Sequence, residues 1–316
     1  MKIKEESYMG KIYEKDKIYF HLPGIVETLE LNYTLLSRME EHPGHFYDNV
    51  RIGSIFGCFP SAMWNGGRVS RGYIEKQYIP RTFKFINDYD VPIRLTWTNP
   101  VLNEEDLHDK MCNYITAVGE NGFNEVLVNT DLMENFMRQE YALYPIVSST
   151  TKRITNIDNL NAELNKDYHM VVIDYDFNNK WDLLDQIIYP EKCEVLVNPV
   201  CHPNCPNRKA HYEYVGHKQK DPNYPVADFE TRCTAMRHMH HETKQLANFV
   251  SVEDIYQKYV PKGFQHFKIE GRNSNPLMVM EYYLHYLVKD EFKEVEREFL
   301  YDGVLKHLMQ PFFDIR

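Results

Sequence analysis

Eight short runs of apolar, largely β-branched residues recur along the chain, at 17–22, 49–56, 92–97, 125–129, 144–149, 169–174, 194–198 and 265–270. Most are continuous rather than alternating, which suits strands covered on both faces, as in a parallel sheet. Stretches with helical periodicity lie between them, at 25–39, 72–87, 104–118, 131–141, 156–164, 180–188 and 251–259, and a long one follows at 277–300. Asn103 and Ser251 stand where a helix-capping oxygen belongs. Eight β/α repeats in 316 residues predict one α/β domain over residues 1–316, a (β/α)8 TIM-like barrel. An open doubly wound sheet is the other arrangement such alternation permits. An insertion at about 200–262, between strands seven and eight, carries cysteines.

Composition narrows the function classes. Hydrophobic residues make up 43% and charged residues 26%, which supports a sizeable core and argues against disorder. The formal net charge of −10 opposes broad binding to a phosphate backbone, so the chain carries no strong nucleic-acid signal. The sequence holds no apolar run long enough to span a membrane and no apolar signal-peptide core at its start. The expectation is a cytoplasmic protein whose six cysteines are free thiols or ligands.

A barrel places its chemistry at the C-terminal ends of its strands. Polar residues recur there: Cys58, Asn99, Asn129, Ser148 and Ser149, Asp174 and Asp176, Asn198 and Cys201, Glu270 and Arg272. Asp174, Glu270 and Arg272 are the candidate catalytic residues, and Asn99 and Asn129 are candidate pocket walls. Each can also be an ordinary turn residue.

The segment Cys-His-Pro-Asn-Cys at 201–205 is the sharpest local pattern. Two thiols on a short, proline-bearing loop can converge on one centre. Cys233 lies in the same insertion, and Cys58 follows the second strand on the same barrel face. Cys58, Cys201, Cys205 and Cys233 therefore form a candidate four-thiolate site for a [4Fe–4S] cluster, with zinc as the alternative. Zinc favours close-spaced pairs, whereas Cys58 and Cys233 stand alone. Arg208 occupies the position where a radical-SAM motif needs its third cysteine, so that reading is rejected. Cys112 and Cys193 read as buried small hydrophobes, with Cys193 also weighed as a replacement for Cys58.

Other candidates are weaker. His202 lies between the paired cysteines and can tune a bound group or simply fill the loop. The segment Trp-Asn-Gly-Gly-Arg at 64–68 offers two glycines for close backbone approach and Arg68 for an anion, or a tight turn. Three histidines within 237–242 read as a solvated helix face or an assisting metal site.

The closing strand Phe-Lys-Ile-Glu-Gly-Arg at 267–272, followed by a tyrosine-rich helix, resembles the peptidase U32 family. The strand, paired cysteines and Cys-Pro-x-Arg of 194–208, and Cys58 after an early strand, are similar to the same superfamily. Residues 201–208 depart from the family's usual Ser-Gly-x-Cys arrangement. The resemblance implies a barrel with a four-cysteine [4Fe–4S] site at Cys58, Cys201, Cys205 and Cys233. It implies oxygen-independent hydroxylation, or a related redox modification, of a small or nucleobase-like substrate with an electron donor or protein partner. The alternatives are a U32-type peptidase and a non-catalytic barrel with structural zinc.

Overall fold

Parallel pairing runs unbroken from each strand to the next and closes from the last back to the first. The computed structural model describes residues 10–233, 235, 240–272 and 274–309. Among them, β1 (Ile18–Pro23), β2 (Val50–Gly57), β3 (Ile93–Trp97), β4 (Glu125–Val128), β5 (Ile146–Ser148), β6 (Met170–Val172), β7 (Cys193–Leu196) and β8 (His266–Lys268) form a closed barrel in chain order. The β1–β8 pairing is parallel, with Phe20 opposite Phe267. The expected (β/α)8 barrel is thus the fold, with every strand within two residues of its sequence-based position.

The outer layer comprises α1 (Leu29–Glu41), α2 (Tyr78–Asn87), α3 (Lys110–Gly119), α4 (Asp131–Glu140), α5 (Ile157–Leu164) and α6 (Trp181–Leu184). The segment between β7 and β8 carries α7 (Arg208–Lys220), α8 (Asp228–Arg232), α9 (His240–Thr243) and α10 (Val252–Asp254), and β8 is followed by α11 (Pro276–Leu287) and α12 (Lys293–Met309). Outward strand residues such as Ile55, Leu95, Val126, Val195 and Phe267 join helix residues in the main core. Ser251 caps α10 through Asp254 N at 3.0 Å. Asn103 caps a short 3-10 turn, Glu105–His108, and Asp109 then caps α3 itself.

Several helical expectations change: 72–87 is helical only from Tyr78, and 180–188 only over Trp181–Leu184. The stretch 277–300 divides into α11 and α12 because Val288 leaves the helix to pair with Phe46. Lys289 N then bonds His45 O at 2.9 Å. The histidine-rich segment falls mostly outside the described residues, which resume at His240.

The barrel interior is charged. Arg94 on β3 is fully buried and donates to Glu125 on β4 at 2.6 Å and to Glu194 on β7. His21 on β1 contacts Ser54 at 2.8 Å, His266 at 3.2 Å and Glu194 at 3.3 Å. Tyr13 donates to Glu125 at 3.1 Å from below. Gly53 leaves room for this group, because a Cβ there would lie 2.5 Å from the His21 ring. Leu127, Val147, Met170 and Val172 fill the remainder. Burial opposes the Arg94 charge, but the two carboxylates outweigh it and hold its pKa above the ordinary value.

Replacing Arg94 with Leu strands two buried carboxylates, and the expected loss is about 3–5 kcal/mol of unfolding free energy. A urea midpoint equal to wild type would contradict that role for Arg94. Acid should also destabilise the barrel. Burial holds His21 well below its ordinary pKa and His266 down at about 3. The unfolded chain therefore takes up those protons first, so stability falls as pH drops from about 6.5 towards the folded-state values. Urea midpoints at successive pH values should show this decline, and His266→Phe should flatten it.

Candidate functional site

The strand ends open into a cavity of about 70 Å³ whose walls include Arg68, Ser149, Tyr175, Tyr212, Lys268 and Glu270. Such a volume holds a few water-sized groups. Arg272 sits under one side of it, 8% exposed, and donates to Asn65 at 2.8 Å, Thr96 at 2.9 Å and Gly66 O at 2.9 Å. It thereby fastens the loop after β2 to β3. Gly66 is required for that approach, since a Cβ there would lie 2.2 Å from Thr98 O. Glu270 pairs with Arg68 across the mouth and accepts from Val200 N at 3.3 Å. Asn198 and Glu270 exchange reciprocal bonds of 2.9 and 2.7 Å, joining the ends of β7 and β8.

A second, larger pocket of about 500 Å³ lies beside the mouth. Cys201, His202, Cys205, His211 and Cys233 are among its walls. All three cysteines are half-buried free thiols. Among the described residues, no three His, Cys, Asp or Glu side chains converge as a single metal ion requires. Tyr175 and Tyr212 stand on the side of the mouth nearest Cys201. Both line the mouth, and both interact with Cys201. Their hydroxyls lie 3.4 Å apart. Burial, reinforced by Cys201, pushes Tyr212 up to about 12, so it stays protonated at neutral pH.

The cysteine loop is held by an ion-pair network beneath it. Arg208, at the first turn of α7, reaches Asp174 at 3.1 Å and Asp176 at 3.0 Å. It also donates to His202 O at 2.9 Å. Arg153 pairs with the same two carboxylates at 2.7 and 3.1 Å. Asp176 accepts from Asn204 N at 2.9 Å. The Arg208 guanidinium also lies 3.9 Å over the Tyr175 ring. Burial raises the Asp174 carboxyl despite both arginines. For Asp176, burial is outweighed by the Asn204 N–H and Arg208, and its pKa falls.

The remaining sequence candidates have particular places. Cys58 is fully buried in the core and is not a wall of the cysteine pocket. Burial first and Glu27 second push its thiol up to about 12, with Arg272 and Ser70 opposing. Cys193 lies at the N-terminal end of β7, away from the mouth, and Cys112 is buried on α3. Asn99 is 1% exposed, and its amide donates to Met63 O at 2.9 Å and Gly216 O at 3.2 Å. Asn129 is half-buried near Thr98 O, at 3.5 Å. Ser148 turns outward to Glu163 on α5 at 2.6 Å. Asp174 serves the network rather than the mouth wall.

Sequence reading passes over Tyr175, predicts no helix at α7, and gives Arg208 and Lys268 no role of their own. The buried positions of α7 are Arg208, Tyr212, Val215, Gly216 and Gln219. Their spacing is helical, but most are not apolar, so no hydrophobic stripe announces the element. Gln219 stitches the helix to the loop after Cys58 by accepting from Ser70 N at 2.9 Å and donating to Ala62 O at 2.9 Å.

No family model matches the chain. It is 28% identical over 131 residues to a protein of Methanocaldococcus jannaschii described as an uncharacterized protease. That match spans 39% of this chain and 38% of the other, little more than a third of its length. The fold is similar to the structure of a U32 peptidase, with a TM-score of 0.51, 10% identity, and coverage of 82% of this chain and 94% of that one. The U32 resemblance carried by 194–208 and the closing strand is thus matched at the level of fold.

Arg208→Met should loosen the cysteine loop without unfolding the barrel. A loss of about 1.4 kcal/mol of local stability corresponds to a tenfold faster modification of Cys201 and Cys205 by a disulfide reagent. Unchanged thiol kinetics would remove Arg208 from that role.

Proposed function

We propose that this chain is a U32-type enzyme whose barrel mouth binds a small or nucleobase-like substrate beside a thiolate-held iron–sulfur cluster. The observation that carries the reading is one pocket walled by Cys201, Cys205 and Cys233, with Cys201 also interacting with Tyr175 and Tyr212 of the mouth. A zinc–sulfur bond of about 2.3 Å would require tetrahedral sulfurs roughly 3.8 Å apart. Three thiols lining one pocket of about 500 Å³ leave room for a group several ångströms across. Cys201, Cys205 and Cys233 would hold it, with His202 and His211 within the same walls. Cys58 as a fourth ligand would have to leave its buried position.

Such a cluster supplies electrons, which fits oxygen-independent hydroxylation or a related redox step with an external electron donor. The protein's own residues do the rest. Arg208, Asp174 and Asp176 keep the cysteine loop in place. Protonated Tyr175 and Tyr212 line the mouth and can donate a hydrogen bond to a group bound there. Glu270, Arg68 and Arg272 shape the mouth. The chemistry belongs in a reducing compartment, the cytoplasm. Among the described residues no helix is long and apolar enough to cross a membrane.

Peptidase activity is the second reading, favoured by the protease and peptidase descriptions of the similar proteins. One experiment separates them. Anaerobically prepared wild type should contain iron and acid-labile sulfide; Cys205→Ser should lose most of both, and Cys112→Ser should keep them. Zinc without sulfide would replace the cluster by a structural metal. Metal-free protein that cleaves peptides would establish the peptidase.

A further inference from the structure

The floor of the mouth holds a group that neither the cysteine pocket nor the two tyrosines of the mouth use. Lys268 ends β8, points into the cavity and is 4% exposed. Its ammonium carbon chain ends 3.9 Å over the Phe56 ring. Below it lies Glu194 Oε1, 3.1 Å away, its ion-pair partner. The amine is thus paired with a fully buried carboxylate and also borders the cavity. A buried amine in that position is costly to keep charged and lies within reach of a small molecule in the cavity.

We propose that Lys268 is a nucleophilic amine that condenses with a small aldehyde or ketone bound in the mouth. The neutral Nζ attacks the carbonyl carbon, and a C–N bond forms. The two amine protons leave with the carbonyl oxygen as water, giving an imine. No oxidant or reductant enters that step. Burial lowers the Lys268 pKa to about 8, with Glu194 opposing and Arg94 and Arg272 reinforcing the shift. Those three are the charged groups facing it, from β7, β3 and the segment after β8. At about pH 7.5 its neutral fraction then exceeds that of an exposed lysine by on the order of a hundredfold. The cavity of about 70 Å³ restricts the partner to a compound of a few heavy atoms. The inference is independent of what the cysteine pocket holds.

The test is reductive trapping. Full-length folded protein is incubated with pyruvate, and separately with glycolaldehyde, then treated with borohydride and digested for peptide mapping. The expected result, with either probe, is a reduced adduct on the peptide containing Lys268, at least about tenfold above any other lysine. Lys268→Met should lose that adduct while keeping the wild-type circular dichroism. Adducts confined to surface lysines in folded wild type, with Lys268 bare, would overturn the proposal. That measurement decides the matter on wild type alone if the variant does not fold.

Discussion

Arg94 holds Glu125 and Glu194 together in a barrel interior where none of the three is exposed. Barrels of this kind usually fill their centre with branched apolar residues. Here four strands contribute charge, in a column from Glu125 through Arg94 and Glu194 to Lys268 at the mouth. Two carboxylates around one guanidinium leave a negative surplus, and Lys268 is the buried cation nearest to it. The arrangement constrains register strongly. A slip of one residue on β3 or β7 would turn Arg94 or Glu194 out of the barrel and leave its partners unpaired. Gly53 is part of the same constraint, because the His21 ring occupies the space of its missing side chain.

A second network performs the corresponding task outside the barrel wall. Asp174 and Asp176 follow β6, and Arg208 opens α7, so their pairing ties the cysteine loop to a strand end. The same arginine lines the cysteine pocket and covers the Tyr175 ring, which lines the mouth.

Much of the fold is legible in the chain because parallel barrel strands are covered on both sides and read as apolar runs. The exceptions have physical causes. Val288 breaks a continuous helical pattern to pair with Phe46, a contact more than two hundred residues distant in sequence. Helix α7 is buried through Arg208, Tyr212 and Gln219, with Arg208 paired to Asp174 and Gln219 accepting from Ser70 N, so no apolar stripe marks it. Asn99 looked like a pocket wall because strand-end asparagines often are, yet its amide is committed to Met63 and Gly216. Gly216 permits that approach, since a Cβ there would lie 2.3 Å from Asn99 Oδ1.

The sequence by itself determined the eight strands, their order and the end of the barrel at which polar residues gather, because those depend on local periodicity and chain connectivity. It also marked Cys201, Cys205 and Cys233 as residues of one region. Tertiary structure decided which of them share walls. It set Cys58 in the core, where burial keeps the thiol neutral, and placed the other three around one pocket. It also turned Lys268, which the sequence offered only as part of the closing motif, into the floor of the mouth. Burial and pairing are properties of side chains from distant segments meeting, and no local spacing encodes them.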